Sequence, residues 1–201
     1  MVAATGRFRP LPRSFYRRDA EAVARDLLGR YLVREIDGHR LVLRLVETEA
    51  YLGEKDRASH AWKGRRTARN ESLYLTGGHG YVYFIYGMYY CLNAVTGEAG
   101  QGSAVEGAGR MKAHRRLRAS LGPGDLAGGP GKLCRALCID RALDGRPLDG
   151  PPLYLTRGEP VGDGEVVVAP RVGIDYAGEA ALWPLRFALR GHPDVSRPRP
   201  G

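Results

Sequence analysis

YLVREIDGHRLVLRLVETEAY (residues 31–51) decides how this chain folds. Two runs rich in aliphatic and β-branched residues flank Asp37-Gly38, and Asp-Gly between such runs is a strong short-range signal for a two-residue hairpin. The second run alternates Leu41, Leu43 and Leu45 with Val42, Arg44 and Val46, the period of a strand, and delivers Glu47, Thr48 and Glu49 at its end. Upstream, Asp19 is a good N-cap for a helix through Val23, Leu27 and Leu28 that stops at Gly29. Downstream, residues 52–80 are polar and loop-rich, with a short helix expected near Asn70–Leu75. GYVYFIYGMYYCLNAV (80–95) is a second hairpin, bending at Gly87. Residues 96–109 hold five glycines and one apolar pair, Ala104-Val105, and read as loop; 110–120 read as a basic helix. GPGKLCRALCI (129–139) is a helix opened by Gly-Pro, and LYLT (153–156), GEVVVAPRVGI (164–174) and LRFALRG (185–191) are late strands. Hairpins and helices interspersed without βαβ alternation predict an α+β fold.

The chain has 201 residues, enough for one domain with a sizeable core, and 43% of them are hydrophobic. Thirty-one Lys and Arg against 22 Asp and Glu leave a formal +9 and a pI near 9.7. Such an excess points to a polyanionic partner. A mean hydropathy of −0.34 and no long apolar run exclude a transmembrane helix, and MVAATGRFRPLPRSFYRRD (1–19) has no apolar core of a secretory signal. Three cysteines do not make a disulfide framework, so a cytoplasmic, reducing location is expected, on the nucleoid if the source is bacterial. Cys134 and Cys138 fall at i, i+4 without a histidine at metal-ligand spacing; buried thiols are expected there, and no metal. No Walker loop, dinucleotide fingerprint or nucleophile elbow is present.

Ten Lys or Arg lie between Arg57 and Arg118 against three Glu, so this stretch carries +7. It surrounds a hairpin with Tyr81, Tyr83, Tyr86, Tyr89 and Tyr90, where strand alternation puts Tyr81 and Tyr83 on one face and Tyr86 close to the tip. A solvated basic face and core tyrosines would be the ordinary explanation. An aromatic wedge between basic flanks is also what unstacks a base step in DNA. Glu47 and Glu49 share a strand face if the strand stays regular; one then has a raised pKa or is held by an Arg. Tyr51 and His60 just beyond them supply a stacking face and a hydrogen-bonding group, as a pocket for an extruded base requires.

Taken together, ETEAYLGEKDRASHAW (47–62), GRRTARNESLYLTGGHGYVYFIYGMYYCLN (64–93), GPGKLCRAL (129–137) and RVGIDYAGEAALWPLRFALRG (171–191) resemble the alkyladenine, or 3-methyladenine, DNA glycosylase family. The resemblance implies one mixed domain with a curved antiparallel β-sheet flanked by helices and a protruding β-hairpin. A basic N-terminal arm (1–18) would precede a glycosylase domain (19–191), with a C-terminal tail (192–201) after it. It implies a monofunctional enzyme of base excision repair that flips alkylated or deaminated purines out of duplex DNA and hydrolyses the N-glycosidic bond. No cofactor or metal is implied, and a monomer suffices. By position in the motif Glu49 is the base that activates water, while Tyr51, His60 and Tyr83 line the pocket. Asn93 discriminates at the pocket edge, and Tyr86 is the wedge. Met88, Arg65, Arg66, Arg69 and Lys132 are the further expected DNA contacts. No side chain stands out as an acid for a neutral leaving base.

The pattern breaks after Asn93. The family continues into an aliphatic strand ending Arg-Ala-Leu-Glu-Pro, whose Arg helps to hold the water. This chain reads TGEAGQGSAVEGAGRMKAHRR (96–116), with most of that strand and its Arg absent. The expectation is a sheet that loses a strand or pairs raggedly, and Arg110 is out of register to substitute. Two alternatives to an active glycosylase follow: a protein of the same fold that binds damaged DNA without cutting, and a general basic nucleic-acid module.

Overall fold

The protein is described from a computed structural model, which covers residues 8–111, 129–159 and 161–200, with side chains omitted for 109–111. Its frame grows from the hairpin at Asp37-Gly38, where φ of 49° and 72° gives the left-handed pair that matches strand twist. β1 (Tyr31–Ile36) and β2 (His39–Tyr51) pair through it in antiparallel register. β2 is 13 residues long and exceeds its partner. Its first half pairs with β1, and Glu47–Glu49 pair with β9 (Arg186–Leu189) on the same edge. The other edge pairs with β5 (Ser103–Met111). β3 (Gly80–Ile85) and β4 (Tyr89–Thr96) form the second hairpin, and β6 (Asp149–Gly150), β7 (Leu153–Thr156) and β8 (Val166–Ala169) complete an all-antiparallel sheet. The order is β3-β4-β5-β2-β1-β7-β6, with β8 and β9 attached through β2, and the sheet curls into a half-barrel. The fold is α+β, as the sequence predicts.

β5 corrects two expectations. Residues 103–111 are neither loop nor a lost strand: they pair with β2 from Ala104 to Met111, and Ser103–Glu106 pair with β4 on the other side. Two partner ladders supply what SAVEGAGRM lacks in intrinsic β-preference. Its small residues fit a crowded face: a Cβ on Gly107 would sit 3.0 Å from Leu45 Cδ2. Gly97–Gly102 alone keeps the loop character. Arg110 lies opposite Arg44, four residues beyond Glu106. The basic helix expected to Ser120 lies, beyond Met111, outside the described residues.

α2 (Ala20–Leu27) is capped as expected, the Asp19 carboxylate accepting from the amides of Glu21 and Ala22 at 2.8 and 3.3 Å. It packs with α3 (Pro130–Ala136) on one face of the sheet, where Val23, Leu27, Leu43, Val82, Leu92, Val105, Leu133 and Phe187 make the main core. Strand alternation assigns the opposite residues to the other face: Tyr81 and Tyr83, Cys91 and Asn93, Ala104 and Glu106, Glu49 and Tyr51. That face is covered by the segments 53–75 and 171–182, which leave a pocket between them.

The described residues near both termini pack on the domain. α1 (Arg13–Tyr16) buries Tyr16, and the Leu11 amide donates to the Leu155 carbonyl at 2.8 Å. Val195 joins the main core. α3 ends before Cys138, so Cys134 and Cys138 do not share a helix face: Cys91 and Cys134 are buried and Cys138 is exposed.

Candidate active site

The two carboxylates at the end of β2 have different fates. A bulge between Leu45 and Glu47 resets the register, after which Glu47 and Glu49 share a face. Glu47 is held by an arginine, the second of the two outcomes the sequence left open. Arg186 Nε and Ser196 Oγ donate to Glu47 Oε1 at 2.6 Å each, and the Ser196 amide donates to Oε2 at 2.7 Å. Among the described residues Glu49 has no such cation at bonding distance. Tyr51 Oη donates to its Oε2 at 2.9 Å and the Val172 amide to its Oε1 at 3.0 Å. Burial raises the Glu49 pKa, with Glu47 adding to it; the two hydrogen bonds and Arg186 act the other way.

Tyr51 is backed by a buried cation. Arg171 stacks 4.8 Å from its ring centroid while donating to the Ala50 carbonyl at 2.9 Å, to Asp56 Oδ1 at 2.9 Å and to the Ala180 carbonyl at 3.1 Å. Asp56 also accepts the amides of Leu52 and Ala58. One buried ion pair therefore ties the end of β2, the 52–58 turn and the 171–182 segment into a single wall.

The facing wall is aromatic. Tyr83 packs against His60 at 4.7 Å edge-on and stacks on Tyr81 at 5.1 Å, and His60 Nδ1 lies 2.7 Å from Tyr81 Oη. The Asn70 amide fixes the His60 and Arg65 carbonyls at 2.9 and 2.8 Å. The His60 ring is open on the cleft side, and packing on the other lowers its pKa, with Arg69 and Arg65 contributing. Between the walls lies a cavity of about 430 Å³ lined by Tyr51, His60, Tyr83, Asn93, Glu106 and Tyr176, among others. This is a size suited to a small planar ligand. Glu49 stands directly behind Tyr51 and Val172, both of which line the cavity.

The strand register puts Tyr81, Asn93, Glu106 and Glu49 in one row across β3, β4, β5 and β2. Neighbours in such a row have Cβ atoms about 4.5–5.5 Å apart. Glu106 was counted in the sequence only as a counter-charge. Here it is a second pocket carboxyl: Tyr83 Oη donates to its Oε2 at 3.0 Å and Asn93 Nδ2 at 3.4 Å. Burial, with Glu49 adding, pushes its pKa up to about 8.

Above the cavity the β3–β4 hairpin projects. Tyr86, with φ of 53°, and Met88 are 77% and 68% exposed at its tip, and Tyr86 also reaches the cavity rim. Arg69 donates to the Phe84 carbonyl at 2.6 Å, bracing the hairpin from the side. Arg65 and Arg69 line a groove running off the pocket with Arg57, Trp62 and Tyr176. Arg66 is engaged with Glu71 at 2.9 Å, and Lys132 is exposed on α3, whose Gly131 packs against Tyr89. Of the expected site residues, Tyr51, His60, Tyr83, Tyr86 and Asn93 line the cavity and Arg65 and Arg69 the groove beside it, while Glu49 lies behind the wall and Met88, Arg66 and Lys132 line neither. Sequence reasoning missed Glu106, Arg171, Arg186 and the Val172 amide. The one signal for them was an arginine inside an apolar strand, LRFAL, which demands a buried partner. Among the described residues no three of His, Cys, Asp or Glu converge to hold a metal ion, and no helix is long and apolar enough to cross a membrane.

The site is thus a carboxylate behind an aromatic slot on a curled antiparallel sheet, with an exposed hairpin above it. The methylpurine-DNA glycosylase family model matches residues 14–193, and the chain belongs to that family. A protein of Methanocella arvoryzae is 48% identical over 198 residues, covering 95% of this chain and 98% of its own length. Proteins of Desulfitobacterium hafniense (46% identical, 92% and 98% covered) and Myxococcus xanthus (47%, 95% and 96%) are similarly close. Each carries the name "Putative 3-methyladenine DNA glycosylase". The chain is a DNA glycosylase, a hydrolase of N-glycosyl bonds in the repair of alkylation damage, and DNA is its substrate.

Proposed function

We propose that the enzyme acts on damaged purines, alkylated or deaminated, by flipping them out of duplex DNA into the slot between Tyr51 and the His60–Tyr83 wall. Glu49 orients and deprotonates the water that attacks C1′. The observation that carries this is a buried carboxylate, with no cation at bonding distance among the described residues, held by Tyr51 Oη and the Val172 amide beside an aromatic cavity of about 430 Å³. An N-glycosidic bond breaks through an oxocarbenium-like state, and a carboxylate there stabilises the developing charge while it positions water. Tyr51 and Tyr83 favour an alkylated base because a cationic ring is attracted to their faces. Tyr86 and Met88 fill the gap left in the stack, and Arg65, Arg66, Arg69 and Lys132 supply phosphate contacts. Asn93 trims the acceptable purine edges. No step needs a cofactor, metal or second subunit.

A second reading, binding to damage without excision, is favoured by one observation: the carboxyl of Glu106, not a cation, is the cross-strand neighbour of Glu49. Single-turnover release of free base from methylated duplex DNA separates the two. Release by the wild type and its loss in Glu49→Gln supports the enzyme mechanism. Tight lesion binding with no release supports the second reading.

A further inference from the structure

Glu106 is buried, lines the cavity and has no place in the water-activating role assigned to Glu49. Its two hydrogen-bond donors, Tyr83 Oη and Asn93 Nδ2, both converge on Oε2. That leaves Oε1 as the oxygen to carry a proton. The charged and titratable groups around it among the described residues are Glu47, Glu49 and Tyr51 from β2, Tyr83 from β3, Cys91 from β4 and Tyr176 from the covering segment, with Cys134 of α3 behind the sheet. Burial and the Glu49 and Glu47 carboxylates disfavour a carboxylate here, and the hydrogen bonds from Tyr83 and Asn93 act the other way without offsetting them.

We propose that Glu106 is the acid that protonates a neutral purine as it leaves, working as the complement of Glu49 across the β2–β5 ladder. The inference rests on the pocket assignment above and deepens it. Neighbouring carboxyls whose surroundings push their proton affinities apart divide naturally into a base and an acid. An alkylated purine is already cationic and departs as a neutral base, whereas a neutral purine would leave as an anion unless a proton reaches a ring nitrogen. In the balanced step the C1′–N9 bond breaks with its electron pair going to the purine, and the Glu106 Oε1 proton passes to a ring nitrogen. Glu49 takes a proton from the water whose oxygen bonds C1′. The products are a sugar hemiacetal and a neutral free base. Glu49 then holds the proton that Glu106 has lost, and exchange between them or with solvent restores both. The pKa of Glu106, pushed up to about 8, keeps it loaded at neutral pH.

The test is single-turnover excision of hypoxanthine, a neutral purine, and of 7-methylguanine, a cationic one, from duplex DNA across pH 6–10. In the wild type the hypoxanthine-to-7-methylguanine rate ratio falls as pH rises through about 8. In Glu106→Gln, which keeps the shape and a hydrogen-bond donor, the ratio drops by about 10²-fold or more at pH 6.5 and no longer varies with pH. Losses in equal proportion on both substrates, or a pH-independent wild-type ratio, overturn the proposal. The wild-type profile stands even if the variant folds poorly. Release of 7-methylguanine without hypoxanthine by the wild type refutes the role of Glu106 alone, and release of neither by the wild type refutes the pocket assignment as well.

Discussion

Replacing Arg186 by Met tests whether the end of β2 is fixed by one buried ion pair. The Arg186 and Glu47 side chains are 2% and 4% exposed. Arg186 donates through Nε to Glu47 and through its terminal nitrogens to the Pro198 and Ser196 carbonyls at 2.9 and 2.8 Å. Met fills most of the same volume, so the lost interaction is electrostatic. Glu47 keeps both Ser196 donors but loses its only cation at bonding distance among the described residues. Leaving a buried charge without its partner costs about 3–5 kcal/mol. In a domain of this size each kcal/mol lowers Tm by about 2–4 °C, so the expected drop is about 6–20 °C. Urea unfolding followed by circular dichroism gives the same quantity at 25 °C. Glu47→Leu combined with Arg186→Met removes both charges and recovers most of the loss, because a buried pair is worth little against apolar residues of similar volume. A cost below about 1 kcal/mol for Arg186→Met, or a double variant as unstable as the single one, would refute the reasoning.

Tyr86→Ala leaves Tm within about 2 °C of the wild type, since the side chain is 77% exposed, but weakens binding to lesion duplex measured by fluorescence anisotropy. The pH dependence of stability follows from Glu106: the folded chain holds a proton up to about 8 that the unfolded chain releases near 4.5, so stability is full at acid pH and falls between these values. The fall is on the order of 4 kcal/mol, Glu49 adds in the same direction, and urea midpoints at pH 5 and 8.5 read it, with Glu106→Gln flattening the difference. With intact protein a maleimide labels Cys138 first, while Cys91 and Cys134 react only after unfolding, as peptide mass spectrometry resolves. Raising salt from 50 to 200 mM weakens duplex binding with a linear log–log slope, and Arg65→Ala lowers that slope by about one.

The parts of the fold that the sequence discloses are those specified locally. Asp37-Gly38, the Asp19 cap, Gly87 at the hairpin bend and Gly-Pro at the start of α3 each act on their own stretch of chain. β5 escapes because nothing in SAVEGAGRM marks a strand; its place is imposed by the edges of β2 and β4, more than 50 residues and about 10 residues away. The pocket is half legible. Tyr51, His60, Tyr83 and Asn93 stand out through long motifs, and the strand period explains why they converge. Arg171 and Asp56 are 115 residues apart and Arg186 and Glu47 139 apart, and pairs so distant are joined only by folding.

The segment around Val105 therefore bears on the chemistry of the pocket more than on its architecture. A strand between two neighbours must occupy its slot whatever its sequence, or leave two ladders of amides and carbonyls unpaired. Residues 103–111 fill that slot, and register then decides which side chain faces the base. Ala104 and Glu106 point to the pocket side because Val105 points to the core. A one-residue slip would bury the Glu106 charge among Leu92, Leu133 and Leu155 and bring Val105 to the pocket, at a cost that pins the register. The carboxyl beside Glu49 is thus a consequence of sheet geometry acting on this particular strand. It also sets the opposite demand on each partner. Glu49 must ionise to activate water, and its ionised form adds to the burial that keeps Glu106 protonated.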